Sequence, residues 1–228
     1  MPSISVVIPV LNESETILRC LEQFRCFPGS EVVVVDGGST DGTPDLVAGS
    51  GLAQLVSSGR SGRAHQMNEG VKVSTGEVLL FLHADTLLPA HGLETILSSL
   101  EDPGVVGGRF QLGLDEGGWQ FHLISRASTL RSRFLGITYG DQGIYCLRKV
   151  FDKVNGYPDL EVFEDSEFCN LLEREGRFVL LDASVCSSVR RWREWGTWGT
   201  IVWMWVLRIL FKLSVSDSRL RKWYHNVR

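Results

Sequence analysis

Short apolar runs without polar alternation constrain this chain more than any other feature. Val6-Val7-Ile8 with its flanks, Val32-Val33-Val34-Val35 inside Glu31–Asp36, and the stretch from Glu77 to Leu82 are apolar at successive positions. A strand with one face in water alternates, because successive side chains point to opposite faces; these runs are apolar on both. Leu52 to Val56 predicts a further short strand. Helical patterns separate the strands. Asn12 is placed to cap a helix from Glu13 to about Arg25, with Glu15 at the reciprocal capping position and Ile17, Leu21 and Phe24 on one face. Thr43-Pro44-Asp45 reads as a helix start, and Ala64, Met67 and Val71 recur at helical spacing within 61–73. Strand and helix in alternation predict an α/β chain. Its Rossmann-like, mainly parallel central sheet would carry helices on both faces.

The second half is less regular. Gly104–Leu112, Gln142–Leu147 and Phe178–Leu181 predict strands, and Trp119–Arg131 and Glu164–Glu175 predict helices, the last ending at Gly176. A chain of 228 residues suits one large domain with a short appendage, here 1–190 and a tail of 191–228. Five cysteines are scattered without metal or redox spacing, which predicts reduced thiols. The first residues lack the charged start of a signal peptide, so a cytoplasmic protein is expected.

Charge divides unevenly. From Arg190 onward nine Lys/Arg face two Asp/Glu, leaving +7; against a formal total of −4, the first 189 residues carry −11. Four Trp between positions 192 and 203, then Trp205, sit in the same tail. Its uncharged run, Gly196–Leu207, is 12 residues, short of the roughly 20 that span a bilayer. Trp and Arg/Lys around an apolar face predict an interfacial helix, peripheral on the cytoplasmic face of a membrane. Packing on the chain's own acidic body, or on a second copy in a homodimer, is the alternative.

In an open α/β sheet, ligands bind beyond the carboxyl ends of the strands. Pro9–Glu13, Asp36–Asp41 and His83-Ala84-Asp85 all fall at such ends. No G-x-G-x-x-G follows the first strand, and no G-x-x-x-x-G-K-[ST] exists, which argues against a dinucleotide oxidoreductase and a P-loop NTPase. Gly38 and Thr40 stand where an EF-hand needs oxygen ligands. Carboxylates are offered instead: Asp36 to accept hydrogen bonds from a base, Asp85 to hold a hard divalent cation. Gly59–Ala64 combines two glycines, Arg60 and Arg63 with a helix start, chemistry suited to a diphosphate; a solvated loop is the plainer alternative. Glu164 and Asp165 open a helix, where the dipole favours acids, and a carboxylate there is also placed to serve as general base.

Pro9–Glu13, Asp36–Asp41, His83–Asp85 and Glu164-Asp165, in this order, resemble the family 2 inverting glycosyltransferases of GT-A fold, over roughly residues 4–182. Gly62–Gly70, Leu82–Thr86 and Gly140–Gly143 resemble more closely a bacterial subgroup associated with radical-SAM/selenium-domain clusters or arsenosugar biosynthesis. The resemblance implies a nucleotide site from Pro9, Asn12, Glu13, Asp36, Gly38, Arg60, Arg63, Asn68 and His83. It implies a metal carboxylate at Asp85, binding Mn²⁺ or Mg²⁺, and catalytic acids at Asp165 and Glu164. Gly140, Asp141, Gln142, Arg191 and Trp192 would shape the sugar and acceptor pocket. His83 stands where the family's D-x-D motif has its first Asp. Ser188–Trp192 partly matches the Q-x-x-R-W element of processive synthases without its Gln, which predicts single transfer. The expected partners are a nucleoside diphosphate sugar and a hydroxyl acceptor, a lipid among the candidates, with no nucleic acid. A nucleotidyltransferase of related fold, or a non-catalytic nucleotide-binding or membrane adaptor, is the competing reading.

Overall fold

The structure is a computed structural model and describes residues 2–116, 119–135, 138–190, 196–213 and 215–225. Its centre is an eight-stranded sheet. The strands are β1 (Ile4–Val10), β2 (Glu31–Asp36), β3 (Gln54–Ser57), β4 (Val78–Phe81), β5 (Thr86–Leu87), β6 (Val105–Leu114), β7 (Ile144–Leu147) and β8 (Arg177–Ser187). They lie in the order β3-β2-β1-β4-β7-β6-β8-β5. β1 to β4 are mutually parallel, with Val6 between Val32 and Leu80. β7 runs against β4 and β6, β8 runs with β6, and β5 runs against β8.

The helices are α1 (Ile17–Glu22), α2 (Thr43–Ser50), α3 (Arg63–Val73), α4 (Gly92–Ser99), α5 (Trp119–Leu135), α6 (Arg148–Lys153), α7 (Glu164–Glu175), α8 (Thr197–Lys212) and α9 (Asp217–His225). All of β1 is buried, and its side chains divide by parity. Val6 and Ile8 join Ile17 and Leu21 of α1 and Val47 of α2 in one core. Val7 joins Ala64, Met67 and Val71 of α3 and Phe168 and Leu172 of α7 in another. Period-two side chains on an apolar strand therefore produce the two helical layers. Each fully buried Val, Leu or Phe stabilises by about 1.5–3 kcal/mol. α3 comes close to the sheet because Gly70 has no Cβ: one would lie 2.4 Å from Val7 Cγ1.

A third cluster joins the tail to the body. Leu207 of α8 and Leu220 of α9 are buried with Val162 and Phe163, which lead into α7. Arg208 Nη1 donates to Ser166 Oγ at 3.1 Å. The tail thus docks on its own chain. Among the described residues no helix is long and apolar enough to cross a membrane.

Several expectations shift. The first helix starts at Ile17 rather than Glu13. Asn12 does not cap it: the residue has φ 55° and its Oδ1 accepts from Thr40 N at 2.8 Å. The cap signature is captured by a contact between loops. Glu15 lies 3.4 Å from Arg190 and not at a capping position. Thr43 is the first residue of α2, preceded by Gly42, and its Oγ1 accepts from Glu13 N at 2.9 Å. β8 continues to Ser187, because β6 keeps pairing with it through two register shifts. β5, α4, α6 and α9 were not anticipated.

Candidate active site

A cavity of about 300 Å³ lies at the carboxyl ends of β1 and β4. Of the residues expected in the site, Pro9, Glu13, Arg60, Arg63, His83, Asp85, Gly140, Asp141, Glu164 and Asp165 line it. Asn12, Asp36, Gly38, Asn68 and Gln142 do not line it. Arg191 and Trp192 lie outside the described residues.

The residues behind the lining are occupied in building it. Asp36 accepts from Gly38 N at 3.0 Å and from Ser39 N at 3.1 Å, so its carboxylate folds the loop after β2 rather than facing the cavity. Asn68 clamps Tyr157 from both sides, donating to its carbonyl and accepting from its N–H, each at 2.9 Å. Gln142 is buried, and its amide donates to Phe110 O at 3.2 Å. Gln66, which sequence reasoning did not single out, is the main tie of this wall. Its amide donates to Val10 O at 2.9 Å and Val35 O at 2.8 Å, and accepts from Gly62 N at 3.3 Å. One buried side chain thereby fixes the ends of β1 and β2 and the glycine-rich loop that opens α3.

At the start of α3, Arg63 is surrounded by polar partners. Burial opposes its charge, yet Tyr224, Glu164 and Asp165 around it hold it protonated above the ordinary arginine value. Arg60 pairs with Asp159. Glu13 accepts from Arg190 Nη2 at 2.9 Å and from Thr16 Oγ1 at 2.9 Å.

The facing wall carries the carboxylates. Glu164 and Asp165 occupy the first turn of α7, both buried. Asp165 Oδ2 accepts from Gly140 N at 3.0 Å, while Oδ1 has no hydrogen-bond partner among the described residues. Burial, then the charge of Glu164, push the Asp165 carboxyl well above the usual carboxylate range, and Arg63 opposes them. Gly140 must be glycine. A Cβ there would lie 2.5 Å from both Asp165 Oδ2 and His83 Nε2, so three separate segments converge on one backbone atom. Phe163, just before the two acids, has φ 64°. A bulky residue in the left-handed region is strained by of order 1–3 kcal/mol. Its ring is held by Tyr139 and by Phe211 of α8, with centroids 6.4 and 5.3 Å away.

Among the described residues no three His, Cys, Asp or Glu converge as a metal cage. A cation carried with a diphosphate needs only one or two protein carboxylates, the phosphates supplying the rest. Asp85 fits that role. It lines the cavity, and its side chain accepts a single hydrogen bond among the described residues, from Thr86 Oγ1 at 3.2 Å.

Residues 5–154 match the glycosyl transferase family 2 domain. The chain belongs to that family. Glycosyltransferase AglE of Haloferax volcanii is 36% identical over 129 residues, 52% of this chain and 42% of that one. A PGL/p-HBAD biosynthesis glycosyltransferase of Mycobacterium bovis is 37% identical over 94 residues, 38% of this chain and 37% of the relative. The chain thus spans less than half the length of these curated relatives. Among solved structures, S. aureus TarS 1–349 in complex with UDP-GlcNAc superposes with a TM-score of 0.68 at 20% identity, over 82% of this chain and 59% of that one. Glucosyl-3-phosphoglycerate synthase from Mycobacterium tuberculosis, with Mn²⁺, UDP and glucosyl-3-phosphoglycerate, gives 0.64 at 20% identity, over 95% and 82%. At that identity the likeness concerns the fold, and the fold is the family 2 α/β architecture expected from the sequence.

Proposed function

We propose that this chain is a metal-assisted glycosyltransferase that moves a sugar from a nucleoside diphosphate sugar to an acceptor hydroxyl, once per encounter and with inversion. The observation that carries the reading is Asp165: a buried carboxylate, one oxygen of which has no partner among the described residues, lining the same cavity as Arg63 at a helix N-terminus. Its raised proton affinity suits a general base for a hydroxyl. Arg63 and the first N–H groups of α3 place fixed positive potential where a diphosphate would leave. Gly140 N, donating to Oδ2, orients the carboxylate so that Oδ1 remains for the acceptor. Asp85 would hold the divalent cation, and a role for the His83 imidazole in that shell would favour Mn²⁺ over Mg²⁺. When bound, that cation supplies Lewis-acid charge stabilisation to the leaving group. The complexes of TarS with UDP-GlcNAc and of the synthase with Mn²⁺ and UDP support this class of donor. The subgroup likeness rests on the wording of three motifs, whose Arg63, His83 and Gly140 share one cavity.

The acceptor reading follows from α8. Val202, Trp205, Val206, Ile209 and Leu213 are all exposed and recur at helical spacing on one face. Lys212, Arg219 and Lys222 are exposed nearby in sequence. An apolar stripe with basic neighbours suits an anionic membrane surface. Trp205 belongs to the stripe and also lines the cavity, which supports a lipid-borne acceptor.

Calorimetric titration with UDP and GDP, each with Mn²⁺ and with chelator, tests the donor site in wild type and Asp85→Ala. Binding should require both metal and Asp85; equal affinity in every arm would sink the metal role. Sedimentation with acidic vesicles should carry the protein down. A dimer that stays in the supernatant would make the stripe a subunit interface instead.

A further inference from the structure

The tail does more than cover the body: its last described helix reaches into the cavity. Tyr224 of α9 lines the cavity together with Arg63, and its phenol lies among the groups that act on the Arg63 guanidinium. Three further contacts place it there. Leu220, one turn earlier, is fully buried in the cluster with Val162 and Phe163. The side chain of Tyr224 packs against that same cluster. Trp203 Nε1 of α8 donates to the carbonyl of Trp223 at 3.3 Å, fixing the backbone next to Tyr224. The tail therefore touches both walls, Arg63 through Tyr224 and the carboxylate wall through Arg208 and Ser166.

We infer that Tyr224 is a positioning residue for Arg63, holding its guanidinium in the cavity for the diphosphate of the donor. The inference rests on the donor reading above and adds a residue to that site. An arginine side chain has many rotamers to lose on binding. A Tyr224 hydroxyl bonded to Arg63 would tether the side chain before the ligand arrives, so less freedom would be lost when the phosphates bind. The oxygen of a phenol accepts from one N–H of the guanidinium and leaves the other donors of the fork for a phosphate. Tyr224 does not contact the reacting atoms in this role; it acts through Arg63.

The test uses the full chain and the variant Tyr224→Phe, which keeps the ring and its packing and removes only the hydroxyl. The probes are UDP, inorganic pyrophosphate and uridine, each titrated in the presence of Mn²⁺. Tyr224→Phe should weaken UDP and pyrophosphate by about tenfold, the scale of one hydrogen bond to a charged group. Uridine affinity and the melting temperature should stay as in wild type. In an Arg63→Ala background the same change should add nothing, because coupled residues are non-additive. A purely structural role would weaken uridine as much as UDP and would persist without Arg63. The inference is overturned if Tyr224→Phe binds pyrophosphate and UDP as wild type does, if uridine falls in parallel, or if the loss survives in full in the Arg63→Ala background. A wild type that binds none of the three probes overturns the donor reading and this inference together.

Discussion

In and behind one wall of the cavity, Gln66, Asp36 and Asn68 commit polar atoms to backbone groups. On the other, Asp165 keeps an oxygen without a partner among the described residues, and Phe163 holds a left-handed backbone angle. The first wall belongs to strands whose helices sit next to them in sequence. The second is assembled from Gly140, α7 and the tail. Buried polar groups that are fully paired stabilise a fold, whereas an unpaired one costs about 1–3 kcal/mol and persists where something else requires it. The contrast separates scaffold from chemistry: substitutions on the first wall should act on stability, and those on the second on turnover.

The largest expected effect is at Asp165. Asp165→Asn should lower turnover by about 10²–10⁴-fold, the usual worth of a general base, with donor affinity retained in a calorimetric titration. The same variant should behave unusually in stability. Because the folded carboxyl binds its proton more tightly than the unfolded one, the folded state gains stability at low pH. That gain is complete below the unfolded value and is lost as pH rises through the folded one. An amide does not titrate, so melting curves taken from acid to alkaline pH should show Asp165→Asn overtaking wild type as pH rises. A wild-type turnover profile should have its ascending limb above the ordinary carboxylate range. A limb near the normal aspartate value would assign the base elsewhere.

Next in size is Gly140→Ala. A methyl placed 2.5 Å from Asp165 and His83 must move one of them. A displacement of about 1 Å near the reacting groups costs on the order of 100-fold, so turnover should fall by about 10- to 100-fold while the melting temperature falls by only a few degrees. Gln66→Ala should show the opposite balance. It removes three hydrogen bonds, to the Val10 and Val35 carbonyls and from the Gly62 amide, although Val10 O keeps the N–H of Gly37, a loss of about 2–3 kcal/mol. For a chain of this size that corresponds to roughly 5–10 °C in a melting curve. Retention of the wild-type melting temperature by Gln66→Ala would erase the proposed division between the walls. The smallest effect belongs to the exposed stripe: Ile209→Ser should change stability by less than about 0.5 kcal/mol, yet should reduce recovery with acidic vesicles.

The same contrast explains what the sequence could disclose. β1, β2 and β4 lie within a residue or two of their predicted bounds, because an apolar run bounded by polar residues has a single sensible reading. α7 runs from Glu164 to Glu175 as expected, stopped by Gly176. That Arg63, Asp85 and Asp165 would share one cavity was legible because each stands at a helix start or beyond a strand end. Asn12 misled because a capping residue and a residue bridging two loops have the same side chain. α4 had a readable signal in Leu93, Ile96, Leu97 and Leu100, while the two residues of β5 offered none. Gln66 and Tyr224 were beyond reach. A glutamine in a helix and a tyrosine in a tail acquire their roles only when distant segments meet.

The pairing of β5 with β8 has a consequence for how the protein matures. Thr86 lies opposite Ser187, and the carbonyl of Asp85 accepts from Ser188 N at 3.2 Å. During synthesis a chain emerges from its N-terminus at about 5–20 residues per second, and its early strands can pair as they appear. β1 to β4 can therefore assemble while most of the chain is still being made, but the neighbourhood of Asp85 cannot close until Ser188 has been translated. A nascent chain would have all four parallel strands several seconds before it had a site fit to hold a substrate.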